Sequence, residues 1–385
     1  MSKPLHILIV EDSEADTELL LHELRNAAFD PTFQRVDTPA AMSAALEQRK
    51  WDLVVADFSM PQFNALAALE LLNQKGIDLP FIIVSGTIGE ELAVKAMKNG
   101  ARDYIMKGNL RRLVPAVERE LSEAVQRRER KRAEEELRIN QEQFRVAREI
   151  QQRLFPKSPP ESGVFDIAGA SHPAEATGGD YFDYLPMADG CLGIVVADVT
   201  GHGVGPALLM AETRAYLRTL APNARDTGDL LTQANRVLAD DVDFERFVTV
   251  ILAKLDPRSS SLDYASAGHP SCYVLDAAGQ VKAQLKRLGV PLGIQPEIDY
   301  ATSAVIPLST GDIVLLLTDG IEEAMSPDNA FFGVERILEV VRANSGSTAG
   351  EIVESLYRAV RDFSCGLPQL DDLTVVVAKV KSPGG

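Results

Sequence analysis

Cysteine is scarce in this chain of 385 residues. The three present, Cys191, Cys272 and Cys365, are widely separated, lack zinc-ligand spacing and cannot all pair. That excludes a disulfide framework and predicts small buried apolar side chains in a reducing compartment. Net positive charge is missing too: 39 Lys and Arg stand against 56 Asp and Glu, a formal charge of -17. Nonspecific attraction to nucleic acid or to an anionic membrane is therefore excluded as a basis for function. No uncharged apolar run reaches the roughly 20 residues that cross a bilayer. The amino terminus passes from Lys3 into a short apolar run, Leu5 to Val10, without a signal-peptide pattern. A cytoplasmic protein with no nucleic-acid and no membrane partner is expected. There is no internal repeat and no low-complexity tract, and the length predicts two domains with a connector.

What is present falls into three stretches, bounded at 1–120, 121–157 and 158–385. In the first, short apolar runs (Leu5–Val10, Thr32–Val36, Leu53–Ala56, Phe81–Val84, Tyr104–Met106) alternate with amphipathic segments (Glu14–Ala28, Pro39–Gln48, Leu66–Gln74, Glu90–Asn99). Such alternation predicts an α/β doubly wound fold, a parallel sheet covered on both faces. In that arrangement the working groups gather at the carboxyl ends of the strands. Glu11 and Asp12 follow the first strand, Asp57 the third, Ser85 ends the fourth and Lys107 the fifth. Three neighbouring carboxylates repel one another and call for a divalent cation. With the cation in place, Asp57 can attack a phosphoryl group whose oxygens Lys107 and Ser85 would hold.

The motifs Val10-Glu11-Asp12-Ser13, Asp57-Phe58-Ser59-Met60-Pro61, Val84-Ser85-Gly86 and Gly100 to Lys107 make this stretch resemble a response-regulator receiver domain, flavodoxin-like in fold. The resemblance implies that Asp57 accepts phosphate from a sensor histidine kinase or phosphotransfer protein. It also implies that Glu11, Asp12, Asp57 and the Ser59 carbonyl hold Mg²⁺, and that Ser85 and Tyr104 are the switch pair. Asn64-Ala65 stands where the family often has a glycine.

The second stretch is helical in composition. Gln126 to Glu136 is almost wholly charged and has no Gly or Pro. Leu137, Phe144 and Gln151 with Asn140, Ala147 and Leu154 occupy the a and d positions of a heptad frame. A coiled-coil helix from Leu110 to Leu154, about 68 Å long at the usual rise, is predicted to pair two copies as a homodimer. Pro156-Lys157-Ser158-Pro159-Pro160 stops it.

The third stretch carries strand-like runs Gly193–Val199, Phe247–Leu255, Ile313–Leu317 and Leu373–Val380, interrupted by helix patterns at Pro206–Leu220, Leu230–Asp240, Glu335–Ala343 and Glu351–Phe363. Grouped strands and helices predict an α+β layered domain. Four acidic islands sit at or near the ends of these runs: Gly178-Gly179-Asp180, Asp198 to Gly203, Thr318-Asp319-Gly320 and Asp371-Asp372-Leu373-Thr374. Carboxylates at strand ends can converge while the strands stay buried, which suits hard divalent ions and activation of water against a phosphate ester.

With Ser266 to Pro270 and Pro291 to Ile294, the islands resemble the bacterial stress-response and sporulation branch of the PP2C-type (PPM) phosphatases. The resemblance implies a β-sandwich and two Mn²⁺ or Mg²⁺ ions. Asp198 would bridge them, Asp319 and Asp371 would complete one shell, Asp180 and the Val199 carbonyl would serve the other, and Asp372 would stand behind. It further implies a gated protein serine/threonine phosphatase, with Asp198 and Asp319 catalytic and a phosphorylated anti-sigma-factor antagonist as substrate. Val199-Thr200 separate Asp198 from Gly-His-Gly, so no general-acid role passes to His202. Ala168 to Gly179 contains no phosphate-binding arginine, and His269 is read as structural. A noncatalytic adaptor that binds a sigma-factor regulator is the alternative; loss of metal acids would mark it, and none of the four is lost.

Overall fold

The apolar runs with no polar interruption become the central strands of three five-stranded sheets, because a strand buried on both faces has no side left for polar residues. The computed structural model describes residues 2–86, 94, 96–201, 203–241, 246–270 and 272–382. The chain divides into two compact units, Met1–Ile139 and Asn140–Gly385.

In the first unit, β1 (Lys3–Val10), β2 (Phe29–Val36), β3 (Leu53–Asp57), β4 (Phe81–Ser85) and β5 (Asp103–Met106) pair in parallel in the order β2-β1-β3-β4-β5. Each predicted strand is present, and helices Glu14–Asn26, Pro39–Gln48 and Ala65–Gln74 connect the early ones. This is the doubly wound order with its switch point between β1 and β3, where Glu11, Asp12 and Asp57 emerge. Half of the predicted Glu90–Asn99 helix lies outside the described residues; 94 and 96–98 are helical. Asn64, in the family's glycine position, caps the Ala65–Gln74 helix through its Oδ1, which accepts from the Ala67 N–H at 3.0 Å.

After β5 a 3₁₀ turn, Lys107–Arg112, leads into one helix of 40 residues, Leu113–Gln152. It is shorter at both ends than the predicted Leu110–Leu154, and spans about 60 Å at 1.5 Å per residue. Asn109 breaks the start with non-helical angles (φ -141, ψ 55). The predicted seam is also shorter. Leu137, Asn140 and Phe144 are exposed, but Gln151 is buried and Leu154 packs against a core of the second unit. Those two heptad positions are committed to intramolecular packing and are not available to a second copy.

The second unit is a sandwich. One sheet runs β13-β10-β9-β8-β7, from Ile306–Pro307, Ser261–Ala267, Val248–Asp256, Leu192–Val199 and Tyr181–Pro186. The other runs β12-β11-β14-β15-β6, from Val281–Leu285, Cys272–Leu275, Ile313–Leu317, Leu373–Val380 and Phe165–His172. Alternate residues of both, among them Ile194, Val196, Ile251, Val314, Leu316 and Val376, interlock as the inner core. The opposite faces are covered by helices: Val204–Leu220 and Thr227–Leu238 on the first sheet, Gly333–Ala343 and Ala349–Ser364 on the second. The layers are therefore helix, sheet, sheet, helix. Among the described residues no helix is long and apolar enough to cross a membrane.

Candidate functional sites

At the carboxyl end of the parallel sheet, Glu11 is 1% exposed and Asp57 8%. Glu11, Asp12 and Asp57 bring ligand oxygens within 4.8 Å of one another, a donor set that fits a hard divalent cation. Lys107, directly after β5, donates to Glu11 Oε2 at 3.0 Å and Asp57 Oδ2 at 2.9 Å, and also to Asp16. Asp16 carries no signal in the sequence; it lies in the first turn of a helix, where acids are common for the dipole alone. Burial works against the Lys107 ammonium, but its bonds to Asp16, Asp57 and Glu11 outweigh that and hold the amine above the ordinary lysine range. Burial raises the Glu11 carboxyl, opposed by the Ser13 N–H and Lys107. Ser59 enters through its N–H, which donates to Asp57 Oδ1 at 3.1 Å. Ser85 is fully buried at the end of β4, and the Tyr104 hydroxyl donates to Met106 Sδ at 2.7 Å.

The second site lies where the two sheets of the sandwich end. Asp198 is the penultimate residue of β8, Asp319 starts a short helix directly after β14, Asp180 immediately precedes β7, and Asp371 and Asp372 precede β15. Asp180 is buried, and its carboxyl is pushed well above the usual range by burial, with Asp198 and Asp372 adding to the effect. Asp198 is pushed up to about 7, first by burial and then by Asp319, Asp371 and Asp372. Burial and Glu323 raise Asp319. Acids this close, each disfavouring its neighbour's charge, are poised for cations. Their spacing is wider than in the first site: among the described residues only Glu11, Asp12 and Asp57 draw three ligand atoms within 4.8 Å.

The surroundings wire these acids to the backbone. Asp372 accepts from Ala174 N–H (2.8 Å) and Asp180 N–H (3.2 Å). Thr318 donates to Asp180 Oδ2 at 2.8 Å and so ties β14 to the Asp180 turn. Glycine is required beside them. A Cβ on Gly320 would stand 2.0 Å from the Asp372 carbonyl oxygen, and one on Gly179 would stand 2.4 Å from the Val199 carbonyl oxygen. Asp371 is exposed at the rim.

His269 is wholly buried, with Nε2 3.1 Å from the Leu317 carbonyl and Nδ1 3.0 Å from the Thr249 hydroxyl. A carbonyl only accepts, so Nε2 carries the proton and Nδ1 accepts from Thr249. The ring joins β9 to β14 two residues before Asp319. His202 lies outside the described residues. Sequence reading overlooks Arg287: it donates from Nε to the His269 carbonyl at 3.2 Å, and its charge slightly offsets the upward push of burial and Glu323 on the Asp319 carboxyl. Nothing local in the sequence joins Arg287 to residues so far along the chain.

The profile of the family described as stage II sporulation protein E (SpoIIE) matches residues 188–381, half of the chain. This chain belongs to the SpoIIE family. Ahead of its SpoIIE part it carries a response regulator receiver domain, matched over residues 7–118. Protein IcfG of Synechocystis is 23% identical over 396 residues, which takes in 96% of this chain and 57% of that protein. The phosphoserine phosphatase RsbU of Bacillus subtilis is 27% identical over 242 residues, 62% of this chain and 70% of that one. The chain thus spans little more than half the length of the first of these relatives. Among solved structures, the PP2C domain of SiaA from Pseudomonas aeruginosa aligns with a TM-score of 0.55 at 24% identity, over 63% of this chain and 98% of that chain. The sandwich of this SpoIIE-family protein therefore has the PP2C fold.

Proposed function

We propose that the protein is a two-component response regulator whose output is metal-dependent dephosphorylation of phosphoserine or phosphothreonine on a protein, gated by phosphorylation of Asp57. The observation that carries this reading is the meeting of Asp180, Asp198 and Asp319 across two sheets, with carboxyls raised by burial and mutual repulsion. The receiver domain and the likeness to a named phosphoserine phosphatase support it. Two Mn²⁺ or Mg²⁺ ions, when bound, would supply an acidified water and neutralise phosphate charge. The residues that would hold them are Asp180, Asp198, the Val199 carbonyl, Asp319 and Asp371, and Asp372 and Thr318 would keep Asp180 in place. In the receiver, Glu11, Asp12, Asp57 and Ser59 would hold Mg²⁺, and Lys107 would bind the phosphoryl oxygens on Asp57.

The division into receiver (1–120), helical linker (121–157) and phosphatase (158–385) is part of this proposal. So are its partners: a sensor histidine kinase or phosphotransfer protein upstream, a phosphorylated anti-sigma-factor antagonist as substrate, and a homodimer formed through the linker. Exposed Leu137 and Phe144, at a positions of the heptad frame, favour such pairing. The deciding experiment measures Mn²⁺-dependent phosphate release from phosphorylated anti-sigma-factor antagonists, with and without beryllofluoride. Release that depends on Mn²⁺, vanishes in Asp198→Ala and changes with beryllofluoride is expected. Full turnover in a folded Asp198→Ala variant would reject the site, and indifference to both beryllofluoride and Asp57→Ala would reject the gating.

A further inference from the structure

Gln151 is the penultimate residue of the long helix and is 6% exposed. Its Nε2 donates to the Gly178 carbonyl at 2.6 Å, and its Oε1 accepts from the Gly178 N–H at 3.1 Å. One side chain thus satisfies both backbone groups of a residue that lies between β6 and β7 and has no ladder partner there. On its far side Gly178 is pressed against Asp372: a Cβ at 178 would stand 2.0 Å from Asp372 Oδ2. The next residue is held as closely, by the Val199 carbonyl. Asp180 follows, with its N–H on Asp372 and its carboxylate on Thr318. The Gly178–Asp180 segment is therefore clasped between the helix end and the strand ends that carry the other acids.

We propose that Gln151 is a positioning residue for the metal centre: its amide fixes Gly178, and through two residues of backbone it fixes where Asp180 presents its carboxylate. This rests on the reading of Asp180 as a metal ligand and deepens it, because it names the contact by which the helix reaches the site. Unwinding or turning the last turn of the helix withdraws the amide, frees the segment and weakens metal binding without touching a ligand. A merely structural anchor would affect folding stability and leave metal affinity alone.

The test uses the full chain with the receiver's cation site removed by Asp12→Asn in every protein, and titrates Mn²⁺ alone by calorimetry. Gln151→Met should weaken Mn²⁺ binding about ten- to a hundredfold, the scale of losing a partner that orients a metal ligand. Gln151→Glu, whose carboxylate still accepts from the Gly178 N–H, should recover part of that loss. Amide exchange over residues 176–181 in the metal-free protein should be slow with Gln151 and fast with Met. Wild-type Mn²⁺ affinity in Gln151→Met would overturn the proposal. Should that variant not fold, rapid exchange of 176–181 in the unaltered protein would do the same. Asp180→Asn separates the two levels: if it also binds Mn²⁺ like wild type, the metal reading itself fails, whereas loss there with no loss at Gln151 defeats only the positioning role.

Discussion

Acidification should unmask His269. Its ring is buried with one nitrogen donating to Leu317 and the other accepting from Thr249, and burial lowers its pKa from 6.5 to about 4. A histidine held neutral in the fold binds its proton more readily when unfolded. Its contribution is complete above about pH 6.5 and is lost progressively as pH falls toward 4. At 1.36 kcal/mol per unit, a drop to pH 5 costs about 2 kcal/mol, and the full interval costs about 3 kcal/mol. The raised carboxyls of Asp180, Asp198 and Asp319 act with the opposite sign, since protonating them relieves repulsion and favours the fold as pH falls. Wild type alone therefore gives a mixed profile. His269→Gln can offer an amide N–H to Leu317 and an oxygen to Thr249 but cannot titrate. Urea unfolding of chelator-treated protein at pH 7.5 and pH 5.0, followed by circular dichroism, should show wild type losing about 2 kcal/mol more than the variant. Equal losses in the two proteins would refute the buried neutral ring.

Three further outcomes are expected. In chelator at pH 7.5, Asp198→Asn should stabilise the protein by about 2–4 kcal/mol, because it removes a charge whose carboxyl is raised from 3.8 to about 7, while abolishing Mn²⁺-dependent turnover; urea midpoints and phosphate release check both halves. Gly320→Ala should cost about 1–3 kcal/mol of stability, since its Cβ would stand 2.0 Å from the Asp372 carbonyl oxygen, and an unchanged urea midpoint would contradict the packing. Asp57→Asn should take up no phosphoryl group from acetyl phosphate and Mg²⁺, as read by intact-protein mass, whereas labelling at the wild-type level would move the acceptor elsewhere.

Two central strands, β14 (Ile313–Leu317) and β15 (Leu373–Val380), are readable to the residue because their apolar runs are unbroken and buried on both faces. β7, β10, β11 and β13 escape the reading, although β10 and β11 are central and buried, and so do β6 and β12. Phe165–His172 is largely small residues, and Val281–Leu285 is mostly exposed, so neither shows an apolar run. The acids are legible as strand-end carboxylates, whereas the groups that hold them are not. Arg287 and Gln151 meet the site only through long-range folding, the bond of Thr318 to Asp180 spans 138 residues, and Gln151 reads as a polar flaw in a heptad seam because its partner lies 27 residues away.

The acids of the second site come from both sheets: Asp198 belongs to one, while Asp319 and Asp371 follow or precede strands of the other. An ion that engages them all finds its ligands assembled only while the sheets are stacked; the unfolded chain offers nothing comparable. Mass action then makes the ion a stabiliser, worth about 2.7 kcal/mol at a free concentration one hundred times its dissociation constant. Cellular metal supply would thereby shift the folded fraction of the sandwich, and metal starvation would reduce the amount of folded protein.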